Sequence, residues 1–242
     1  MTKTVLITGG TRGIGRAVAH RLARDGYRLA IAYRGDAHAA QQTAAELDSI
    51  GAQHRLYQAD LADPQQAAAL PARIVADFGT LDGLVNNAGM TDDGAFLTME
   101  GERYQRVLDT NLFGTMRLTS AALPYLLQAD RPAIVIVSSL GGVVGKEGQV
   151  TYATTKGALI GLTQWLGRKY GPQGLRVNAV APGFIRTDMM DSLEPSMYQH
   201  IIEGSALQRI GDAEEVADAV AFLLSPGYIQ ATTLRVDGGF QR

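Results

Sequence analysis

The sequence predicts one α/β domain in which a parallel, doubly wound sheet of seven strands is covered by helices on both faces. Three observations carry this. Strand-like and helix-like segments alternate along the chain, the strand segments are near-continuously apolar, and no Pro/Ser-rich linker or charge block divides the 242 residues. Strands buried on both faces read as unbroken aliphatic runs, and right-handed crossovers put helices on each side of the sheet.

The elements follow in order. Thr4 to Thr8 is the first strand, and glycines lead from it into a helix over Ile14 to Arg24. Arg28 to Tyr33 is the second strand, before a helix over Ala37 to Ile50. His54 to Gln58 is the third, and the helix Pro64 to Phe78 after it is marked by Asp63 as cap and proline in the first turn. Gly83 to Asn86 is the fourth, followed by one long helical stretch from Glu100 to Leu127. Ala133 to Ser138 is the fifth, before a helix over Thr151 to Tyr170, and Leu175 to Val180 is the sixth. Arg186 to Ile210 has an interrupted helical pattern with Met189, Met190 and Pro195 inside it. It reads either as a lid over 186–210 or as an ordinary surface excursion. The helix Ala213 to Leu224 opens on Asp212-Ala-Glu-Glu215, with carboxylates where the dipole favours them, and Thr232 to Val236 is the last strand. Residues 1–130 form the expected cofactor half, and 131–242 the catalytic and substrate half.

Composition narrows the function classes. A 46% hydrophobic fraction against 19% charged suits a soluble enzyme, and 28 glycines suit many tight turns. The net charge of -2, with acids and bases interspersed, gives no surface that attracts nucleic acid or membrane, so the expected partner is a small molecule or a transient carrier. The lack of cysteine excludes disulfides, thiolate metal sites and a cysteine nucleophile. His20, His38, His54 and His200 are scattered without ligand spacing, so no metal site is expected. The apolar run near the start is too short for a signal peptide, and no segment reaches the ~20 apolar residues of a membrane helix. Cytoplasm is the expected compartment.

Two clusters carry chemistry. The first strand runs into Thr8-Gly-Gly-Thr-Arg-Gly-Ile-Gly15 with a helix directly after it. Glycines at such a turn let backbone N–H groups approach a pyrophosphate, whose charge the helix N-terminus stabilises. The spacing Gly9, Gly13, Gly15 departs from G-x-G-x-x-G, so a plain glycine-rich turn stays open. The second strand ends Tyr33-Arg34-Gly35, where an NAD binder usually carries an acid for the ribose 2′-hydroxyl. A guanidinium at Arg34, with Arg12 as a second charge, suits a 2′-phosphate and favours NADPH. Asp36 stands nearby as the competing acid. Asp60, after the third strand, is placed either to accept from an adenine amino group with Leu61 on the ring, or to cap a helix.

At the other cluster, Tyr152 is the only one of nine tyrosines with a lysine four residues on, at Lys156. On a helix the two share a face, and a cation there is expected to lower the phenol pKa from its usual value near 10 toward neutrality. Taken alone, the pair also fits an exposed helix surface.

With Asn86-Asn-Ala-Gly89, Asn111, Ser139 thirteen residues before Tyr152, and Pro182-Gly183 with Thr187, the chain resembles the classical short-chain dehydrogenase/reductase family from end to end. The resemblance implies a Rossmann-type fold and an NADPH-dependent reductase. It implies that Tyr152 gives a proton to a carbonyl oxygen, Ser139 hydrogen-bonds that oxygen, Lys156 bridges the nicotinamide ribose and tunes Tyr152, and Asn111 holds a water of the proton relay. Ser139 is preferred over Ser138 by its spacing to the tyrosine and because alternate residues of an extended run face opposite ways. By the same resemblance Gly9, Thr11, Gly13, Ile14 and Gly15 belong to the cofactor site at the glycine turn, with Tyr33, Arg34 and Arg12 at its adenosine-phosphate end. Asn87, Ala88 and Gly89 form a floor under the cofactor, and Pro182, Gly183, Ile185 and Thr187 a wall beside the carboxamide.

Within the family the strings Gly148-Gln-Val-Thr-Tyr152, Val177-Asn-Ala-Val-Ala-Pro-Gly-Phe-Ile-Arg-Thr-Asp188 and Val236-Asp-Gly-Gly239 are most similar to 3-oxoacyl-[acyl-carrier-protein] reductases. That implies reduction of a 3-oxoacyl thioester in fatty acid or polyketide assembly, a transient acyl carrier protein partner and a homotetramer paired through the helices 100–127 and 151–170. Three features depart from the pattern: Thr91-Asp-Asp93 stands in a loop that tends to carry arginine, Asp130 and Gln173 stand where a carrier would meet basic residues, with Arg131, Arg168 and Lys169 as substitute cations, and Ile229-Gln-Ala-Thr232 replaces a threonine-glycine pair. A CoA ester or free ketone is therefore an alternative substrate, and a non-catalytic dinucleotide-binding role a second alternative.

Overall fold

Sheet and helices alternate throughout the computed structural model, which describes residues 2–187 and 195–241. In chain order the elements are β1 (Thr4–Thr8), α1 (Gly13–Arg24), β2 (Arg28–Tyr33), α2 (Ala37–Ser49), β3 (His54–Gln58), α3 (Pro64–Phe78), β4 (Gly83–Asn86), α4 (Gly101–Leu108), a π-helical segment (Asp109–Gly114), α5 (Thr115–Leu126), β5 (Ala133–Val137), α6 (Leu140–Val144), α7 (Val150–Tyr170), β6 (Arg176–Pro182), β7 (Ile185–Arg186), α8 (Pro195–Gly204), β8 (Gly211–Asp212), α9 (Ala213–Leu224) and β9 (Thr233–Val236). Seven strands form one parallel sheet in the order β3-β2-β1-β4-β5-β6-β9, and β7 pairs with β8 apart from it.

Every residue of β1, β4 and β5 is buried, because both faces of the sheet carry helices. Successive side chains alternate between two cores. Val5, Ile7 and Val135 join Val18 and Leu22 of α1 and Val220 of α9, while Leu6, Leu84 and Ile134 join Ile74 of α3, Leu118 of α5 and Leu166 of α7. The strand order reverses between β1 and its neighbours β2 and β4, so the carboxyl ends of β1 and β4 open a crevice.

Helix starts follow the local signals. Asp63 accepts from the backbone N–H groups of Gln65 and Gln66 ahead of α3, and Asp212 with Glu215 forms a capping box on α9. Two sequence expectations need correction. The single helix over Glu100 to Leu127 is α4 and α5 joined by the π-helical turn, whose widened backbone carries Asn111 inward. Gly114 closes that turn against β3's exit, where a Cβ would come within 2.6 Å of the Leu61 carbonyl oxygen. The short helix α6 and the β7–β8 pair also lie outside the predicted elements, being too short for a periodic pattern. Of the expected lid, residues 188–194 lie outside the described residues, and Pro195 begins α8 rather than interrupting a helix.

The altered loop before β9 has a physical account. Gln230 donates through Nε2 to the carbonyls of Gly167 (2.7 Å) and Leu175 (2.9 Å) and accepts from Val177 N (2.8 Å), so one side chain ties α7 to β6. Ala231 takes a left-handed φ of 57° beside Gly167.

Candidate active site

At the carboxyl end of β1 the chain turns through Gly9, with φ +62°, into α1. A Cβ on Gly15 would collide with the Gly9 carbonyl oxygen, so only glycine lets the helix start this close to the turn. No side-chain cap is found at Arg12 for α1 among the described residues, in contrast to α2, α3 and α6. The first N–H groups of α1 therefore remain free for an anion. Thr11 is buried, and its carbonyl accepts from Thr43 Oγ1 at 3.1 Å, which fixes the turn to α2. Ile14 packs against the core under α1. Thr187 Cγ2 would be 3.3 Å from a Cβ on Gly13, so the wall after β6 reaches the phosphate turn. Within that wall Pro182 ends β6, Gly183 donates to Val236 O at 3.0 Å and lies tight on Asp237, and Ile185 is buried in β7.

Tyr33 ends β2 in register with Gln58, and Gln58 Nε2 donates to Arg34 O at 3.1 Å, leaving the Arg34 guanidinium exposed. Asp36 caps α2 by accepting from Ala39 N at 2.9 Å and lies 3.6 Å from the Arg12 guanidinium. The acid that competes for a ribose hydroxyl is thus engaged by the helix and by a cation, and the site keeps its cationic edge. Asp60 accepts from Ala62 N at 2.9 Å in a local turn while Asp63 does the capping, and Leu61 is buried.

Thr8 joins β1 to the floor: its Oγ1 donates to Val85 O (3.3 Å) and accepts from the N–H groups of Asn87 (2.9 Å) and Ala88 (3.0 Å). Asn87 Nδ2 donates back to the carbonyls of Thr8 (2.9 Å) and Gly9 (3.1 Å). A Cβ on Gly89 would be 3.4 Å from Asn111 Oδ1 and 3.5 Å from Lys156 Nζ, so the absence of a side chain there leaves the two facing the same space.

The chemical end gathers Ser139, Tyr152, Lys156 and Asn111 from β5, α7 and the π-helical turn. Ser139 caps α6 by accepting from Gly141 N at 3.1 Å and hydrogen-bonds Tyr152. Ser138 is buried the other way, donating to Lys156 O at 2.8 Å, as alternation along the strand requires. Lys156 is buried, and its Nζ donates to Val137 O at 2.7 Å and lies 5.5 Å from the centroid of the Tyr152 ring. Asn111 accepts from Met90 N (2.8 Å) and donates to Met90 O (2.9 Å) and Thr155 Oγ1 (3.2 Å), and Thr155 donates to Tyr152 O at 2.8 Å.

One electrostatic expectation is overturned. Burial pushes the Tyr152 phenol up, the Ser139 hydrogen bond opposes that, and Asp93 adds to it, so the phenol is raised rather than lowered. Lys156 does not depress it because burial pulls the amine itself down to about 8 and the ammonium is spent on a backbone carbonyl. Sequence reasoning also missed Thr8, Thr155 and Ser138 as tethers. Each is a buried hydroxyl next to a motif residue, and that adjacency is the only signal the sequence offered.

Comparison with known proteins fits this geometry. A family model described as enoyl-(acyl carrier protein) reductase matches residues 9–241. The 3-oxoacyl-[acyl-carrier-protein] reductase of Staphylococcus aureus is 40% identical over 241 residues, covering 99% of this chain and 98% of that protein. The enzyme of the same name from Escherichia coli is 37% identical over 239 residues, covering 98% and 96%. Among solved structures, a short chain dehydrogenase from Burkholderia cenocepacia in complex with NADP superposes with a TM-score of 0.91 at 38% identity, covering 98% of this chain and 97% of that one. A short-chain dehydrogenase/reductase from Serratia marcescens gives 0.92 at 33%, with the same coverage.

Proposed function

The chain belongs to the short-chain dehydrogenase/reductase family, and we propose that it is the NADPH-dependent reductase of a 3-oxoacyl thioester carried on acyl carrier protein, forming the 3-hydroxyacyl thioester for fatty acid biosynthesis. The observation that carries this reading is the meeting of Tyr152, Ser139, Lys156 and Asn111 at the ends of β4 and β5, beside an α1 terminus left without a side-chain cap. The residues fit the dinucleotide: the cradle at Gly9 and Gly15 has no room for a Cβ on Gly15, and the exposed Arg34 offers a 2′-phosphate a cation, while Arg12 shares its charge with Asp36 at 3.6 Å. When bound, NADPH supplies the hydride that the carbonyl carbon takes up.

The chain's own residues do the rest. Tyr152 gives its hydroxyl proton to the substrate oxygen as negative charge grows there, and Ser139 Oγ donates a second hydrogen bond to the same oxygen. A raised phenol pKa keeps that proton in place at neutral pH. Lys156, whose amine burial pulls down to about 8, would hold the nicotinamide ribose and return a proton toward Tyr152. Asn111, fixed by both polar groups of Met90, orients the water that resupplies Lys156. Cytoplasmic residence and a homotetramer belong to the same reading. Support for the tetramer lies in the exposed Met116 of α5 and Trp165 of α7.

The test follows NADPH and NADH absorbance with a short 3-oxoacyl thioester on carrier protein and on CoA, for the wild type and Tyr152→Phe. NADPH loss in the wild type alone, faster on the carrier, is expected. Asp130 and Gln173, exposed where a carrier would meet cations, favour a second reading in which a CoA ester or a free ketone is the substrate. Equal rates on CoA would establish that reading, and no loss with any carbonyl would leave only dinucleotide binding.

A further inference from the structure

The loop after β4 contains two adjacent carboxylates, and each holds a different helix. Asp92, largely buried, takes Nε of Arg103 at 2.8 Å and Nη2 of Arg106 at 2.6 Å, both from α4. Asp93 takes Nε2 of Gln149 at 2.7 Å, while Gly94 N donates to Gly148 O at 2.9 Å and Arg103 Nη2 donates to Asp93 O at 2.7 Å. Gln149 is the N-cap position of α7, its side chain makes no cap bond, and its carbonyl accepts from Ala153 N at 2.8 Å. Thr151 completes the attachment by donating to Met99 Sδ at 3.4 Å. Tyr152 sits in the first turn of α7, three residues beyond Gln149. A helix start without a side-chain cap frays readily, so what holds this one comes from the opposite loop.

We propose that Asp93 is a positioning residue for Tyr152: through Gln149 it latches the loop after β4 to the first turn of α7. The inference rests on the reading of Tyr152 as proton donor. The other groups facing the phenol are Ser139 on the β5 side and Lys156 on α7. Neither is anchored to this loop, so the latch acts on the position of α7's first turn and on the local field, and leaves the nucleotide cradle untouched.

The test compares Asp93→Ala, Gln149→Ala, the double variant and Asp93→Asn, first by hydrogen exchange of the backbone amides of residues 150–153 and then by kinetics. Exchange in that turn is expected to quicken about fivefold in each alanine variant and no further in the double variant, because both remove one bond. Asp93→Asn keeps an acceptor and restores most of the protection. With saturating NADPH, kcat falls about fivefold in Asp93→Ala while NADPH Kd stays within twofold. In Asp93→Asn the alkaline limb of the kcat profile moves to lower pH, because reduction needs the protonated phenol and a charge that raised its pKa is gone. Unchanged exchange in Asp93→Ala, multiplied effects in the double variant or an unmoved limb would each overturn the proposal. If the wild type reduces no 3-oxoacyl thioester, the functional reading fails on its own, and the exchange experiment still decides the latch.

Discussion

At its phosphate end the cleft is made of backbone and of side chains that are missing, whereas at its chemical end it is made of side chains that hold one another. Gly9 and Gly15 work by leaving room, and the free N–H groups of α1 need no side chain to present them. Tyr152, Ser139, Lys156 and Asn111 come from three segments and are fixed by hydrogen bonds to Met90, Thr155 and Val137. The difference teaches where each end is vulnerable. Adding a methyl group breaks the first, and removing a polar atom breaks the second.

Substitutions that respect this division sharpen it. Gly15→Ala has the largest expected effect: its Cβ meets the fixed Gly9 carbonyl, so NADPH binding by fluorescence titration drops more than ~100-fold and Tm falls, since overpacking of this kind costs about 1–3 kcal/mol. Ser139→Ala lowers kcat by about 10²–10³-fold, as expected for loss of one donor to a developing oxyanion. Ser138→Ala, on the neighbouring residue, mainly costs about 1 kcal/mol of stability in urea unfolding through its lost bond to Lys156 O. If Ser138→Ala abolished turnover and Ser139→Ala did not, the division would fail at its centre. The smallest effect is a pH trend. Lys156 has a folded pKa near 8 against 10.5 unfolded, so the unfolded chain binds more protons between these values and stability rises with pH across that window. Lys156→Met should flatten the rise, and equal slopes in both proteins would contradict the buried amine.

The two ends were also unequally legible. Glycine spacing after an apolar strand reads directly from the chain, because the strand-to-helix turn is local and β1, β2, β3, β4 and α3 lie where periodicity puts them. Arg34 against Asp36 was half legible: the arginine is visible, but the engagement of Asp36 by Ala39 N and Arg12 depends on how α2 begins. At the chemical end the Tyr152 and Lys156 spacing is visible, while the sign of the phenol's shift is not. Burial and the direction of the Lys156 ammonium are set by β5, nineteen residues or more away in sequence, and no local pattern encodes them. The π-helical turn at Asn111 was missed for a related reason, since its cause is the side chain's reach to Met90 rather than any breaker residue.

The central claim is that binding and chemistry reside at separate ends of one cleft. The most direct test measures NADPH Kd and kcat on the same two variants, Arg34→Ala and Tyr152→Phe. The account predicts that Arg34→Ala weakens NADPH about 10-fold or more with kcat nearly intact and NADH affinity unchanged, as for loss of a charge-assisted contact. Tyr152→Phe should lower kcat by about 10²–10⁴ with NADPH Kd within about twofold. Turnover surviving in Tyr152→Phe, or both variants losing nucleotide binding and chemistry together, would contradict it.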